Sequence, residues 1–429
     1  MVWVFLVSGI LIVGFLGIPV GVGLGLIGLS ILHFVAGDAM ALAVPTVWNV
    51  FSDYVLSAIP LFILMGEVLL ISGASERMYG AVAPLFHKIP GGLLHSNIAV
   101  ATIFGAVSGA STSTAAAVGS IAYPELKKRG YDKKLVVATL AAGGTQGLLI
   151  PPSLSLLIYG ATQGVSIAQL FMAGILPALL IAVAFMVLIF IIVSIKPELA
   201  PRIEQKIPFF RSLAGLLRIW PVIILIFAVL GTIYVGIATP TEAAGLGVAA
   251  AVIIGFTWGD LTPRKLVMAA VNSTIVFGTL AVLILGAVIL AQAISILGVP
   301  SQVAGLIGDL NISPLTAFAL VVLLYLILGC FFDGISLLLM TLPVIFPVMT
   351  GMGFDAVWLG VIITLLIEIG MLTPPVGLNL FVLISITRGE VSLGEAALAT
   401  VPFWLLMVGA IGVFTMFPSI ILYLPSLLK

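Results

Sequence analysis

Charged side chains are scarce in this 429-residue sequence: Asp, Glu, Lys and Arg make up 7%, whereas 62% of the residues are hydrophobic. Soluble domains carry about 25% charged residues, so this chain cannot cover a water-facing surface. The 16 acidic and 16 basic residues cancel, and without a basic patch a nucleic-acid partner is excluded. A single cysteine, Cys330, excludes an intramolecular disulfide and a multi-cysteine metal site. The expected surroundings are therefore a lipid bilayer.

Long apolar runs fill most of the chain. About 20 apolar residues suffice to cross a bilayer as a helix, so the sequence predicts an all-α polytopic membrane protein. The first run has no Lys or Arg before it and lacks the basic start of a cleavable signal peptide. The nine predicted full spans are about 2–34, 54–86, 134–163, 168–195, 219–237, 239–258, 266–297, 355–386 and 395–425.

Two further segments, about 92–126 and 313–350, are unlike ordinary spans. Basic residues mark the cytoplasmic side, and Lys88 precedes the first segment while five basic residues follow it between 127 and 134. The segment therefore enters and leaves on the same side. Its centre, GAVSGASTSTAAAVGS, suits a re-entrant hairpin buried in protein. The same count predicts an outward-opening second hairpin, a cytoplasmic amino terminus and a periplasmic carboxyl terminus.

An internal repeat relates the two halves. The pattern P…G-[YF]-D…G-x-L-x-P-P occurs twice at an offset of 223 residues, starting at Pro124 and at Pro347. Residues 1–195 form the first predicted repeat with the inward-opening hairpin, and residues 238–429 form the second. An amphipathic cytoplasmic arm and a crossover span, residues 196–237, connect them and invert the second repeat. Inverted repeats with broken helices are a transporter architecture.

Two clusters combine backbone breaks with polar side chains. The first joins the hairpin tip at 108–114 to residues 143–147 and 150–155; the second joins the tip at 329–336 to residues 370–375 and Asn379. Proline frees the carbonyl four residues before it, and such oxygens are ligands for a hard cation. Helix N-termini there suit a substrate carboxylate. The alternative is that these small residues only permit close helix packing.

The candidate ligands follow from these clusters. Asp333 has two equally weighted interpretations, a cation ligand and a helix N-cap. The coupling ion is expected to be Na⁺, two or more per cycle. The predicted substrate ligands are Ser108, Ser111, Thr112, Ser153, Ser155 and Asn379, and the predicted Na⁺ ligands are Ser108, Gly109, Gly144, Thr145, Gly147, Asp333, Gly334, Gly370 and Thr373.

The chain resembles the large membrane subunit of tripartite ATP-independent periplasmic (TRAP) transporters. The most specific motifs are ATPTEAA at 238–244, the tip at Ser108-Gly109, IPPS at 150–153 and TPPVGLN at 373–379. The resemblance implies an elevator-type transporter in the bacterial inner membrane, driven by Na⁺. It also implies a periplasmic binding protein that delivers a carboxylate such as a C4-dicarboxylate or sialic acid. A small membrane subunit is expected as a separate chain, because no extra helices precede the first repeat.

Three other functions compete with this interpretation. A self-sufficient dicarboxylate or citrate symporter of related fold would need no binding protein. An intramembrane serine protease would use Ser108 or Ser111, but only His95 lies at a suitable depth to be its base. A passive channel is disfavoured, because paired dead-end hairpins suit alternating access better than a continuous pore.

Overall fold

The structure, a computed structural model, describes residues 2–201 and 215–428, and every regular element in these ranges is helical. The predicted arm at 196–218 falls largely outside the described residues. The helices are α1 (Val2–Leu16), α2 (Val20–Phe34), α3 (Ala43–Phe51), α4 (Ala58–Ile71), α5 (Ala74–Phe86), α6 (Leu93–Ser108), α7 (Ser111–Lys128), α8 (Lys133–Leu149), α9 (Leu154–Gln163), α10 (Ile167–Ile195), α11 (Trp220–Tyr234), α12 (Pro240–Thr257), α13 (Pro263–Ile296), α14 (Val299–Asp309), α15 (Pro314–Leu328), α16 (Gly334–Gly351), α17 (Ala356–Gly370), α18 (Leu378–Thr387), α19 (Leu393–Met416) and α20 (Ser419–Leu422), with short 3₁₀ turns at Ala39–Leu42, Tyr54–Ser57, Pro197–Leu199, Leu217–Ile219 and Pro425–Leu427.

Eight helical segments of the described chain are long and apolar enough to cross a membrane. They confirm a polytopic membrane protein. Their number is one fewer than the nine full spans predicted from the sequence. The predicted span 355–386 is divided at the Pro374-Pro375 break into α17 and α18. Each of these helices is too short to cross a membrane by itself. Conversely α16, an arm of the second predicted hairpin, is long and apolar enough to cross a membrane and is one of the eight segments.

The first predicted span, 2–34, is wrong as one continuous helix. The chain breaks between α1 and α2, where Gly17 takes a left-handed φ of 65° and Pro19 has no amide hydrogen to continue the helix. The two helices are antiparallel, because the ring of Phe5 stacks on that of Phe34 with their centroids 6.3 Å apart. Apolar residues on both sides of the break made it look like a single span.

This helical pair also removes the basis for a cytoplasmic amino terminus. Helix α2 runs parallel to α13: a Cβ on Gly21 would meet the backbone of Leu283, and one on Gly28 would meet that of Leu290. The end of α2, and with it the start of α1, therefore lies beside the end of α13. If the basic residues at 264–265 mark the cytoplasmic end of α13, the amino terminus lies at the opposite end.

Both predicted hairpins are present as helix pairs. Helices α6 and α7 are joined by Gly109-Ala110, and α15 and α16 by residues 329–333. In the second pair, the Tyr325 hydroxyl lies 2.5 Å from Thr341 Oγ1 and links the two arms. Prolines and glycines set these boundaries locally, which is why the sequence predicted them closely.

The inverted repeat is visible in the bounds and contacts of the helices. Helices α7 and α16 are separated by 223 residues at both ends, and α8 and α17 at their starts. Helices α9 and α17 run in opposite directions, since Tyr159 donates to the Ala356 carbonyl at 2.7 Å while Ser155 lies 3.1 Å from Thr364 between their hydroxyls. The two repeats therefore meet along their broken helices.

Candidate functional site

The first hairpin turns at a glycine that ends α6. Gly109 takes a left-handed φ of 63°, which suits a residue just beyond a helix. The Ala110 carbonyl then accepts hydrogen bonds from Ser113 at 3.2 Å and from Thr114 at 2.8 Å. The hydroxyl of Ser108 lies 2.6 Å from that of Thr114. The tip is thus a closed group of hydroxyl and carbonyl oxygens.

The break between α8 and α9 packs directly on this tip. Ser153 caps α9 by accepting from the Leu156 amide at 3.2 Å, and its hydroxyl donates to the Leu148 carbonyl. The Leu154 amide donates to the Gly109 carbonyl at 3.2 Å. The structure therefore brings the predicted ligands Ser108, Gly109 and Ser153 into one cluster.

The α8 residues of the predicted Na⁺ site lie against the outgoing arm α7. A Cβ on Gly147 would come within 2.6 Å of both the Ala110 carbonyl oxygen and Thr114 Oγ1, and one on Gly144 within 2.7 Å of the Ala115 side chain. Both glycines therefore permit close packing of α8 against α7. Thr145 is fully buried, and its hydroxyl donates to the Ala142 carbonyl at 2.7 Å.

Asn379 joins the second cluster to the first: its backbone amide donates to the Met371 carbonyl at 3.3 Å, where the sequence placed it, while its side chain reaches the first hairpin. Its side-chain amide nitrogen donates to Ser111 Oγ at 2.7 Å and to the Ala141 carbonyl at 3.2 Å. Helix α18 of the second repeat therefore completes the first hairpin. This contact spans 268 residues of sequence, so spacing alone could not reveal it. The Ser155 hydroxyl contacts that of Thr364 in α17 at 3.1 Å.

The second cluster repeats the geometry of the first. The Val376 amide donates to the Cys330 carbonyl at 3.0 Å, as Leu154 does to Gly109. A Cβ on Gly370 would come within 2.7 Å of the Gly329 Cα, so this broken helix also touches its hairpin. Thr373 Oγ1 lies 3.4 Å from Cys330 Sγ.

The two residues at the start of α16 have visible structural roles. Asp333 accepts from the Ser336 amide at 3.0 Å and so caps the helix, which is one of its two predicted interpretations. Gly334 packs on Ile367: a Cβ there would lie 2.2 Å from the Ile367 side chain. Their role toward Na⁺ stays a prediction.

Three residues of interest were not among the predicted ligands. Gln146 and Glu368 are fully buried, and neither the amide nor the carboxyl atoms have a hydrogen-bond partner in the described chain. Glu67 reaches a cavity of about 120 Å³ that Ser108 and Thr112 also line. Glu67 and Glu368 are nevertheless among the acids inside predicted spans that the sequence marks as candidates for a functional role, and the 223-residue offset pairs Glu368 with Thr145.

The base of the first hairpin is tied to the second repeat by ion pairs. Glu390, in the turn between α18 and α19, contacts Lys127 and lies 3.0 Å from both Lys133 Nζ and the Tyr123 hydroxyl. The hydrogen bond from Lys127 and, to a smaller extent, that from Lys133 lower the pKa of the Glu390 carboxyl from 4.5 to about 2. Lys134 pairs with Glu395 at 2.9 Å beside this group.

His95, the base that the protease alternative requires, is paired with a backbone carbonyl and not with a serine. His95 is buried, and its Nε2 lies 2.8 Å from the Pro90 carbonyl. The hydroxyl of Ser108 is paired with Thr114. Among residues 2–201 and 215–428, no three His, Cys, Asp or Glu side chains come together as a metal cluster. The polar cluster of the first hairpin is built of hydroxyl, amide and carbonyl groups, and that of the second also contains the Asp333 carboxylate and the Cys330 thiol.

Comparisons with known proteins agree with this architecture. The family model described as "Tripartite ATP-independent periplasmic transporter, DctM component" matches residues 7–420. A C4-dicarboxylate TRAP transporter large permease protein of Pseudomonas aeruginosa is 32% identical, over 94% of this chain and 93% of the relative. A sialic acid TRAP transporter permease protein of Haemophilus influenzae is 30% identical, over 97% of this chain and 67% of the relative.

One solved structure shows the same fold. The YdaH transporter of Alcanivorax borkumensis superposes with a TM-score of 0.60 at 15% identity, covering 90% of each chain. The relatives are transport proteins, which excludes the protease alternative. Together with the match along residues 7–420, they show that this chain belongs to the DctM family, the large membrane subunits of TRAP transporters.

Proposed function

We propose that the chain imports an organic acid, of the C4-dicarboxylate or sialic acid type, across the bacterial inner membrane with Na⁺ as the coupling ion. A periplasmic binding protein delivers the substrate, and a small membrane subunit completes the complex. The relatives support the substrate class, since their names include C4-dicarboxylate and sialic acid transporters. The two repeats, 1–195 and 238–429, joined by residues 196–237, would carry the substrate by an elevator motion.

The observation that carries the Na⁺ proposal is a pair of fully buried polar side chains, Gln146 and Glu368, one in each repeat, that have no hydrogen-bond partner among the described residues. Gln146 lies beside the predicted ligands Thr145 and Gly147, and Glu368 lies two residues before Gly370. A buried polar atom without a partner costs about 1–3 kcal/mol, so each cluster favours a bound cation or water. Carbonyl and hydroxyl oxygens nearby are the ligand type that a hard cation prefers.

The first test is transport itself. The chain is reconstituted in proteoliposomes with its small subunit, and uptake of labelled sialic acid and of a C4-dicarboxylate is measured under a Na⁺ gradient, with and without the binding protein. Uptake that requires both Na⁺ and the binding protein is expected. Uptake without the binding protein would favour the self-sufficient symporter. Uptake driven by protons alone would contradict the Na⁺ sites.

A second test separates the two roles of Asp333. Asp333→Asn keeps an N-cap side chain but removes its charge. If Asp333 binds Na⁺, this variant needs several-fold more Na⁺ for half-maximal uptake, at an unchanged melting temperature. The matched control is Asp355→Asn, which alters the cap of α17. Identical Na⁺ dependence in wild type and Asp333→Asn would leave Asp333 as a cap only.

Ser108 offers an independent test of the first cluster. Ser108→Ala removes a hydroxyl from the tip and is expected to lower Na⁺-dependent uptake. Ser120→Ala is a control on the same hairpin, since among the described residues the Ser120 hydroxyl bonds only to the Ala117 carbonyl of its own helix. Normal uptake by Ser108→Ala, at normal protein levels, would count against this cluster.

A further inference from the structure

The cavity beside the first hairpin lies between the tip and α4. Its lining includes Glu67 of α4 and the tip residues Ser108, Thr112 and Ser113. Helix α4 approaches the tip closely at Gly66, where a Cβ would lie 3.0 Å from the Ser108 Cα. The neighbouring Glu67 therefore faces the tip hydroxyls across a space of about 120 Å³, equal to about four water volumes.

The two walls of this cavity have opposite chemistry. On the tip, the hydroxyls of Thr112 and Ser113 stand in the first turn of α7, whose free amide groups favour an anion. On α4, the Glu67 carboxylate accepts a hydrogen bond from the Asn272 amide at 3.3 Å. An ionised carboxylate can only accept. Among the described residues that line the cavity, none is Lys, Arg or His.

This arrangement treats the two ends of a substrate differently. A carboxylate at the tip would meet the Thr112 hydroxyl and the free amide groups at the N-terminus of α7, since the Ser108 and Ser113 hydroxyls are already bonded within the tip. A second carboxylate, pointing toward α4, would meet Glu67, and like charges a few ångströms apart repel each other. A hydroxyl in that place would instead donate to the free lone pairs of Glu67.

We infer that Glu67 is a specificity-determining residue, and that it selects a compact monocarboxylate carrying a hydroxyl or similar donor over a dicarboxylate. The inference rests on the proposed function, because it assumes that organic acids bind at this tip. It narrows the substrate class from organic acids in general to hydroxylated monocarboxylates.

The experiment compares two acids that differ at one end. Succinate and 4-hydroxybutyrate have the same number of carbons, but the second replaces a carboxylate by a CH₂OH group. The complex of the full chain with its small subunit is placed in lipid nanodiscs with Na⁺, and both acids are titrated by calorimetry without the binding protein. Wild type is expected to bind 4-hydroxybutyrate about tenfold more tightly than succinate, a typical discrimination for one contact.

Glu67→Gln keeps the shape of the side chain and removes its charge. It is expected to tighten succinate binding about tenfold and to abolish the preference. Glu76→Gln, at an acid in α5 that lines a different cavity, is the matched control and keeps the wild-type ratio. Glu67→Ser removes the charge with a smaller side chain, so it replaces Glu67→Gln if that variant fails to fold.

Three results would overturn the inference: equal or tighter binding of succinate by wild type, an unchanged ratio in the charge-free variants, or no binding of either acid. These results are distinct from a failure of the proposed function. That function fails when no organic acid enters proteoliposomes under a Na⁺ gradient, whatever the Glu67 variants bind.

Discussion

At the scale of single residues, the side-chain amide of Asn379 joins two parts of the chain that are 268 positions apart in sequence. It is fully buried and bonds both to Ser111 of the first hairpin and to the α8 backbone. Removing one partner of a buried hydrogen bond leaves the other unsatisfied. Asn379 therefore connects the two repeats at a point where neither can replace the contact with water.

Asn379→Ala is expected to lower the free energy of unfolding by about 1–3 kcal/mol, because Ser111 and the Ala141 carbonyl lose their donor. Denaturant titration of the purified protein measures this loss. Ser111→Ala combined with Asn379→Ala should cost less than the sum of the two single changes, since the residues share a bond. Ser385→Ala, at an exposed hydroxyl bonded within its own helix, is the control.

At the scale of helices, glycines hold each hairpin against its broken helix. Gly147→Ala and Gly370→Ala both place a methyl group where backbone atoms lie, at 2.6 Å and 2.7 Å. Overpacking of this kind costs about 1–3 kcal/mol. Both variants should melt at lower temperature and transport less.

The matched control for these glycines is Gly278→Ala. A Cβ at Gly278 of α13 meets no atom within 4 Å, so the variant should keep the stability and uptake of wild type. Normal behaviour of Gly147→Ala and Gly370→Ala would contradict the close packing of hairpin and helix.

The ion pairs of Glu390 predict how the stability of the protein changes at low pH. Its pKa is lowered from 4.5 to about 2, so its ion pairs stabilise the fold fully above the unfolded value. That contribution is lost as the pH falls from about 4.5 through about 2. The stability difference between wild type and Glu390→Gln should therefore be constant from pH 8 to pH 6 and shrink below about pH 4.5. Thermal melting across this range measures it; an increase toward low pH would contradict the assignment.

At this scale, the sequence predicted correctly those helix boundaries that are set by neighbouring residues. The Pro-Pro breaks, the glycine at the first tip and the 223-residue offset placed both hairpins and the broken helices within a few residues, because these signals act on neighbouring backbone. The break at Gly17–Pro19 was missed, because apolar residues on both sides look like one span. The bond from Asn379 to Ser111 depends on packing between distant segments, which no local pattern contains.

At the scale of the whole molecule, the direction of the chain through the membrane is open to a simple test. The single cysteine allows a Cys330→Ser background in which one engineered cysteine is labelled at a time. The antiparallel pair α1 and α2 predicts that Val2→Cys and Asp38→Cys react from the same side, and the basic residues predict that this side is periplasmic. Asp132→Cys should react only from the cytoplasm.

Membrane-impermeant maleimide, added to spheroplasts and to inverted vesicles, makes that comparison. Labelling of position 2 only in inverted vesicles would restore the cytoplasmic amino terminus. Labelling of position 132 in spheroplasts would instead contradict the cytoplasmic location of the basic residues at 127–134.

The bond between Ser111 and Asn379 also has a consequence for biosynthesis. The two residues are 268 positions apart, which a ribosome takes roughly 13–54 s to add at 5–20 residues per second. During that interval the hydroxyl-rich tip has entered the membrane without its amide partner. The nascent first half must therefore stay beside the insertion machinery, or keep water at the tip, until translation is nearly complete. Newly made chains that stop short of residue 379 should be poor at leaving that machinery and good substrates for membrane proteases.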